Sequence, residues 1–514
     1  MLIKKINFPL IFILFIAAFF RFYNFREFQH WTGDDEIFTA VIRHIIWDRS
    51  PILLIPNAFL GFGLGPFFHW LAVPLYFLTN FNLVNIQAAT SLLGVVTTYV
   101  IFLGASILGG VRLGLIASFL YASSFLLSLF DRRLWSLSID SFLAAITFLI
   151  LVKVIKGNVR FIPLLALPIG FSFHSDASLV VLAIAVLVSW IYFKIPLFKR
   201  YLISFFCILA IFLLPLIIAE VQYKGAVSGP IIKSMTRPLR GEGIVSSENF
   251  NFFQPSDFLN VFSKVIFTPP AKAIEEQFCY GRCDYPSTIL SPFIQIAVFI
   301  VFAVSFYLSI KKKGQGKNSA IILWFMMASF IFGLFVFNRL FHANFNQYYF
   351  LVIFPIFIII LAQTLNFLTQ KSKILLIVFL VIYFSSNFFS LLKSSVKYPL
   401  YKKIELVKSS LKAIGDNKFS LYTSNDPNIE GGGWTELYTL EKHPPVKSYW
   451  FGYSDWIYKA YSLFPGPIQQ EDPEKIIWIQ RNNEPLKESL PIIATYNYKD
   501  IVTYIFDNSD SKIN

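Results

Sequence analysis

The sequence predicts a polytopic α-helical membrane protein of about eleven spans, with a small C-terminal α/β or α+β domain outside the membrane. Three observations predict it. Apolar residues make up 56% of the 514 residues and charged residues only 14%, whereas ordinary domains carry about 25% charged residues. The apolar residues come in blocks of bilayer length. Beyond residue 392 the pattern changes to short apolar runs separated by turn residues.

Apolar runs fall near 7–25, 86–108, 113–131, 138–156, 161–175, 177–193, 201–219, 291–310, 319–337, 350–369 and 374–391. A span needs about 20 such residues, so the fifth and sixth runs are short and read as a tight helical pair. The first run follows Lys4 and Lys5 and lacks a small-residue cleavage site, which makes it an uncleaved helix rather than a signal peptide. Alternate loops carry Lys4 and Lys5; Arg112; Lys153, Lys156 and Arg160; Lys194, Lys199 and Arg200; Lys311, Lys312, Lys313 and Lys317; Lys371 and Lys373. By the positive-inside rule these loops and the N-terminus are cytoplasmic. The net charge of +14 is largely this loop excess, and nucleic acid is not an expected partner.

The opposite side holds a first loop at about 26–85, a long loop at 220–290 and the tail 393–514. Residues 1–392 are thus the expected membrane domain, a multi-pass part surrounded by membrane lipids, and 393–514 an extracytoplasmic globular tail. In the first loop, Ile37, Val41, Ile42, Ile45 and Ile46 recur at helical spacing beside Arg43, Asp48 and Arg49, an amphipathic helix suited to an interface. Aromatic-rich Phe67–Phe77 is a second interfacial piece. In the tail, Phe419–Tyr422, Ile476–Ile479 and Ile492–Thr495 read as strands and Ile404–Ile414 as a helix. Cys207 lies in an apolar run and is expected in packing. Cys279 and Cys283 suit a local disulfide in an external loop better than a zinc site, because no further ligands lie nearby.

The polar residues with chemical potential gather at external helix ends. Asp34, Asp35 and Glu36 open the first loop, and carboxylates this close to a bilayer are costly unless they work, are solvated or are paired. Arg132 and Arg133 end the third span and Asp140 starts the fourth. His174 and Asp176 lie at the turn between the fifth and sixth, and Arg339 and His342 precede the tenth. Carboxylates opposite cations suit group transfer from a phosphate-bearing donor: the carboxylate takes the acceptor proton, and the cations hold the departing phosphate. Each residue also has a plain reading. The triplet can be a solvated loop, the arginines interfacial anchors, Asp140 a helix-dipole partner and His174 a structural histidine. Gly61-x-Gly63-x-Gly65 has no preceding strand and no GK[ST], so it is not a nucleotide loop. Gly431–Gly433 marks a turn.

Over roughly the first 370 residues the order of motifs resembles the GT-C membrane glycosyltransferases that use polyprenyl-phosphate sugars. The nearest branch is similar to bacterial relatives of protein O-mannosyltransferases and lipid A aminoarabinose transferases. Asp35-Glu36-Ile37-Phe38-Thr39-Ala40 resembles the Asp-Glu motif of the first external loop. Gly65-Pro66-Phe67-Phe68-His69-Trp70-Leu71 resembles the HPPLYYxL segment, with Leu64-Gly65 in place of its His-Pro. Arg132 to Asp140 resembles the entry into the fourth span, and His342 through Pro355 the stretch before the tenth.

The resemblance implies inverting transfer of a sugar from a polyprenyl-phosphate donor to a glycan, lipid or protein acceptor on the external face of the cell membrane. It implies Asp35 as catalytic base or acceptor-positioning carboxylate, Asp34 as its substitute and Glu36 in support. Arg132, Arg133, Arg339 and His342 would bind the donor phosphate, with Asp140, His174, Asp176 and His69 supporting. No cofactor is certain: adjacent carboxylates suit a divalent cation, some GT-C enzymes use one, and the nearer relatives do not require it. A transporter or flippase would place its ionisable residues in mid-span and build paired halves. A polysaccharide polymerase would not carry the Asp-Glu pair in this place.

Overall fold

The computed structural model describes residues 8–55, 63–196, 198–236, 253–271, 291–311, 315–340, 344, 346–368, 370, 372–424, 432–448, 473–486 and 490–508. His342, Cys279 and Cys283 lie outside them. The chain forms two compact units. One comprises Met1–Phe25, Phe59–Phe68 and Gln87–Lys397, the other Arg26–Ala58, His69–Ile86 and Tyr398–Asn514. Where the sequence sets the tail apart at 393, the second unit therefore also takes in most of the first external loop.

In chain order the helices begin with α1 (Phe8–Phe22), α2 (Gly33–Trp47), α3 (Phe67–Leu78) and α4 (Leu83–Gly109). Next come α5 (Val111–Ser123), α6 (Phe125–Asp131), α7 (Asp140–Ile155), α8 (Ala166–Phe171), α9 (Val180–Tyr192) and α10 (Lys199–Gln222). They continue with α11 (Ser228–Thr236), α12 (Pro255–Ile266), α13 (Ser291–Lys311), α14 (Gln315–Phe335), α15 (Phe354–Leu368) and α16 (Lys373–Lys393). Among the described residues six segments are long and apolar enough to cross a membrane: α4, Ser136–Ile155, α10, α13, Ala320–Arg339 and α16. The pair α5–α6, bent by 69°, makes a seventh if taken as one span.

Every run predicted from hydropathy contains helix, but the expected count of about eleven is not reached by length. α1, Val159–Phe171, α9 and α15 are apolar and shorter. In α15 every residue from Phe354 to Leu365 is buried. A helix enclosed by protein on all sides reads as continuously apolar without having to match the bilayer thickness.

The bend between α5 and α6 has a local cause. Ser124 leaves the helical region (φ −73°, ψ 119°), which frees the N–H of Phe125. Asn387 on α16 accepts it at 2.9 Å and donates its own amide to Ile266 O and Tyr383 O. A buried backbone donor without a partner would be destabilising, so one Asn on another span makes the break tolerable. Cys207, expected in packing, is exposed, because α10 buries only 28% of its apolar window.

The second unit contains a mixed sheet of β1 (Phe419–Thr423), β2 (Lys447–Ser448), β3 (Lys475–Arg481), β4 (Ile492–Tyr498) and β5 (Ile501–Asp507), in the order β2-β1-β3-β5-β4. β2, β1 and β3 run parallel, and β5 and β4 add as an antiparallel hairpin. Alternate residues build its core: Phe419, Leu421, Ile477, Ile479 and Ile505 are fully buried, as period-two patterning requires. α17 (Leu400–Ile414) buries Leu400, Leu406, Val407 and Ile414, and α18 (Trp434–Leu440) follows β1. The three predicted strands and the predicted helix are all present. The apolar face expected on α2 is also present, but it is used against protein: Val41 packs with Ile52 and Ile55, flanked by Ile37 and Ile45.

Candidate active site

The acidic triplet forms the first turn of α2, where negative charge complements the helix dipole. Thr32 is the N-cap in extended conformation, and Asp35 sits three residues on, in capping-box position. Asp35 Oδ2 accepts the Thr32 N–H and the Thr32 hydroxyl, each at 2.9 Å. The three carboxylates are not equivalent. Asp34 is exposed, whereas Asp35 is 0% and Glu36 2% exposed.

Glu36 faces the tail. Its Oε1 accepts the backbone N–H of Glu436 at 2.6 Å, so it serves as an acceptor for the first turn of α18, a helix whose own N-cap is a glycine with no side chain to do so. About two helical turns further along α2, Arg43 binds Glu436 through Nε–Oε1 (2.7 Å) and Nη2–Oε2 (3.1 Å), a bidentate pair. Trp31 donates Nε1–H to Gly433 O at 2.6 Å. Lys403 on α17 donates to Trp31 O (3.0 Å) and Gly432 O (2.9 Å). Gly432 and Gly433 have φ of +70° and +84°, and a Cβ at Gly433 would collide with the Trp31 indole. The predicted turn glycines therefore also let two segments approach closely. Burial pushes the Glu36 carboxyl up to about 8. The neighbouring Glu436 charge adds to this, while the Glu436 backbone N–H and the Lys403 charge oppose it.

On the other side of α2, Phe38 stacks on His69 at 4.5 Å between ring centres, and the Thr39 and Tyr76 hydroxyls lie 2.9 Å apart. Of the candidates in this unit, the structure thus brings Asp35, Glu36 and His69 onto one short helix and its immediate neighbours. Sequence reasoning did not single out Trp31, Lys403 or Glu436 and read Arg43 only as part of an amphipathic face. The run Gly433-Trp434-Thr435-Glu436, a glycine N-cap with Glu at its third helical position, is the signal that marks this second helix start.

The remaining candidates lie in the first unit. Arg132 donates through Nη2 to Phe20 O and to Tyr23 O (3.2 Å), capping carbonyls at the end of α1. Its neighbour Asp131 is bound by Arg21 through Nε (2.8 Å) and Nη2 (2.6 Å), with the Tyr121 hydroxyl at 3.3 Å. Gly94 makes room for this pair, since a Cβ there would strike both charged groups. The Arg133 guanidinium stacks over Trp135 at 3.8 Å.

Asp140 accepts the Ser178 hydroxyl at 3.2 Å, and Asp176 accepts the Ser178 backbone N–H at 2.7 Å, so one serine links the two aspartates. His174 receives the Phe67 N–H on Nδ1 (3.3 Å), which leaves Nε2 as the donor to Phe212 O (2.7 Å). Burial lowers its pKa to about 4, and Gly65 passes so close that any side chain there would clash with the imidazole. These contacts give His174 a structural place. Arg339 is exposed on a π-helical turn, Val336–Leu340, an irregularity common at functional sites.

Among the described residues no three His, Cys, Asp or Glu side chains come together as a metal-ligand group. The α2 carboxylates are instead engaged by Thr32 and by the backbone of α18.

No protein-family profile and no curated protein sequence matches the chain. Solved structures do. ArnT from Cupriavidus metallidurans bound to undecaprenyl phosphate matches with a TM-score of 0.56 at 10% identity, over 96% of this chain and 97% of that one. The apo state of the same ArnT gives 0.46 at 12% identity. The apo oligosaccharyltransferase of Archaeoglobus fulgidus gives 0.44 at 13% identity, over 91% of this chain and 69% of that one. The last two overlaps are looser and add nothing to the assignment. The fold of this chain, long apolar helices with a small C-terminal sheet unit, is shared with ArnT along nearly the whole length of both chains.

Proposed function

We propose that the protein is an integral membrane glycosyltransferase. It moves a sugar from a polyprenyl-phosphate donor to an extracytoplasmic acceptor, a glycolipid, polysaccharide or protein, in the cell membrane. One observation carries the reading: the fold is shared along nearly the whole chain with ArnT, whose crystal structure holds undecaprenyl phosphate. The buried carboxylate at the start of α2 supports it, because it supplies the group that the chemistry needs.

The reaction is a single displacement. Asp35 takes the proton of the acceptor hydroxyl or amine as that atom attacks the anomeric carbon. The bond from the anomeric carbon to the phosphate oxygen breaks with inversion, and the polyprenyl phosphate leaves with its charge. Thr32 fixes the Asp35 carboxylate through Oδ2. Among the cationic candidates, Arg133 and Arg339 are the groups we assign to the donor phosphate. Arg132 is already committed to the α1 carbonyls.

The test is transfer of a labelled sugar from polyprenyl phosphate by purified protein, with Asp35→Asn and Asp34→Asn in parallel. Asp35→Asn is expected to lose on the order of 10²–10⁴-fold in kcat, the usual worth of a general base, and Asp34→Asn less than about ten-fold. Undiminished transfer by Asp35→Asn removes that residue from its role. Absence of transfer by the wild type from every lipid-linked sugar sinks the reading.

A further inference from the structure

We infer that the C-terminal tail positions the catalytic helix, and that Glu36 is a positioning residue acting through α18 rather than a second catalytic carboxylate. The inference rests on the function proposed above and assigns the tail its part in that reaction. α2 is a short helix that carries Asp35 in its first turn. Two contacts about two helical turns apart tie it to α18. At its N-terminal end Glu36 Oε1 accepts the Glu436 N–H (2.6 Å), and seven residues later Arg43 grips the Glu436 carboxylate with two hydrogen bonds. Glu436 is thus held twice, by its backbone and by its side chain, from the same helix.

Trp31 and Lys403 close the arrangement just ahead of α2. The indole bonds Gly433 O, and the ammonium bridges Trp31 O and Gly432 O. Two contacts spaced along an axis fix both the position and the rotation of α2, which a single contact cannot do. Rotation matters because successive side chains on a helix diverge by about 100°. The oxygen of Glu36 that is used accepts a backbone N–H, and an amide oxygen does that equally well. The role therefore requires an acceptor at this place and not a negative charge.

The experiment compares Glu36→Gln, Glu36→Ala, Arg43→Ala and Asp35→Asn in the purified full-length protein. Sugar transfer is read as kcat and KM, and hydrogen exchange is followed over residues 33–47. Glu36→Gln keeps the acceptor and is expected to stay within about three-fold of the wild-type kcat. Glu36→Ala and Arg43→Ala are expected to lower kcat on the order of 10²-fold, the cost of an ångström-scale displacement. The KM for donor should stay within about two-fold, because donor binding is untouched. Both should speed exchange in α2, whereas Asp35→Asn loses activity without that change beyond its first turn.

A Glu36→Gln enzyme as inactive as Asp35→Asn overturns the proposal, since the charge would then be in use. Unchanged α2 exchange in both Glu36→Ala and Arg43→Ala overturns it as well, and leaves the function reading standing. A wild-type protein that transfers no sugar but shows the exchange pattern overturns both the function and the positioning role, and reduces the contacts to a structural clasp.

Discussion

Each unit sets an arginine against a buried carboxylate, but in different acidic company. In the first, Arg21 and Asp131 form a closed pair: one cation, one anion, two short hydrogen bonds and a tyrosine hydroxyl on the remaining lone pairs. In the second, Arg43 grips the Glu436 carboxylate with two hydrogen bonds, while a second buried carboxyl, that of Glu36, accepts the Glu436 N–H beside it. A one-to-one pair satisfies itself and acts as a brace. Burial and the neighbouring Glu436 charge push the Glu36 carboxyl up to about 8, and burial raises the Glu436 carboxyl as well. The contrast separates two things that look alike in the sequence, where both are an acidic residue near an arginine at the external end of a helix.

The comparison can be broken most forcefully at the brace. Asp131→Ala strands the Arg21 guanidinium and should cost about 3–5 kcal/mol, whereas replacing both residues with apolar side chains of similar volume should be far milder. Unfolding of the detergent-solubilised protein measures this, and equal losses in the single and double variants would show that charge is not what matters at that site.

Gly94→Ala should destabilise the same unit by about 1–3 kcal/mol through overpacking, since the new methyl meets both members of the pair. A wild-type melting temperature for this variant would mean that the helix shifts to absorb it. In the second unit, Trp31→Phe keeps most of the packing and removes the bond to Gly433 O, for an expected loss of about 0.5–1.5 kcal/mol.

The smallest effect is a slope. The folded-state pKa of Glu36 lies above its ordinary value of 4.5, so the folded protein keeps a proton that the unfolded chain releases. Stability from this group is intact below about 4.5 and declines as pH rises to about 8, with no further change beyond. Glu36→Gln should flatten the stability curve in that window, and parallel curves for variant and wild type would count against the buried, protonated carboxyl.

Much of this was legible beforehand. Among the described residues, the apolar runs located the six segments long enough to cross a membrane, period-two alternation located three strands, and the Asp35-Glu36 motif fell on α2, the helix proposed to carry the base. What escaped has a common physical cause, which is distance along the chain. The break at Ser124 depends on Asn387, and no local pattern announces that an amide 262 positions away will accept the Phe125 N–H. Glu36 was grouped with Asp35 because they are adjacent, yet a helix turns one toward Thr32 and the other toward α18. Arg132 and Arg133 were read as a pair for similar reasons. One caps α1 and the other stacks on Trp135. The expected span count and the count by helix length differ where length and burial part company, as in α15.

The interleaving of the second unit has a consequence for biosynthesis. Trp31 and Gly433 are 402 positions apart, so at about 5–20 residues per second the ribosome takes on the order of 20–80 s between making one and the other. During that interval α2 has its local contacts to Thr32, Ile52 and Ile55 but lacks those to Gly433 and Glu436, while helix after helix is made behind it. The helix can reach its final packing only after α18 has been made. A chain interrupted before α18 would contain every proposed catalytic group while α2 still lacked its contacts to Gly433 and Glu436.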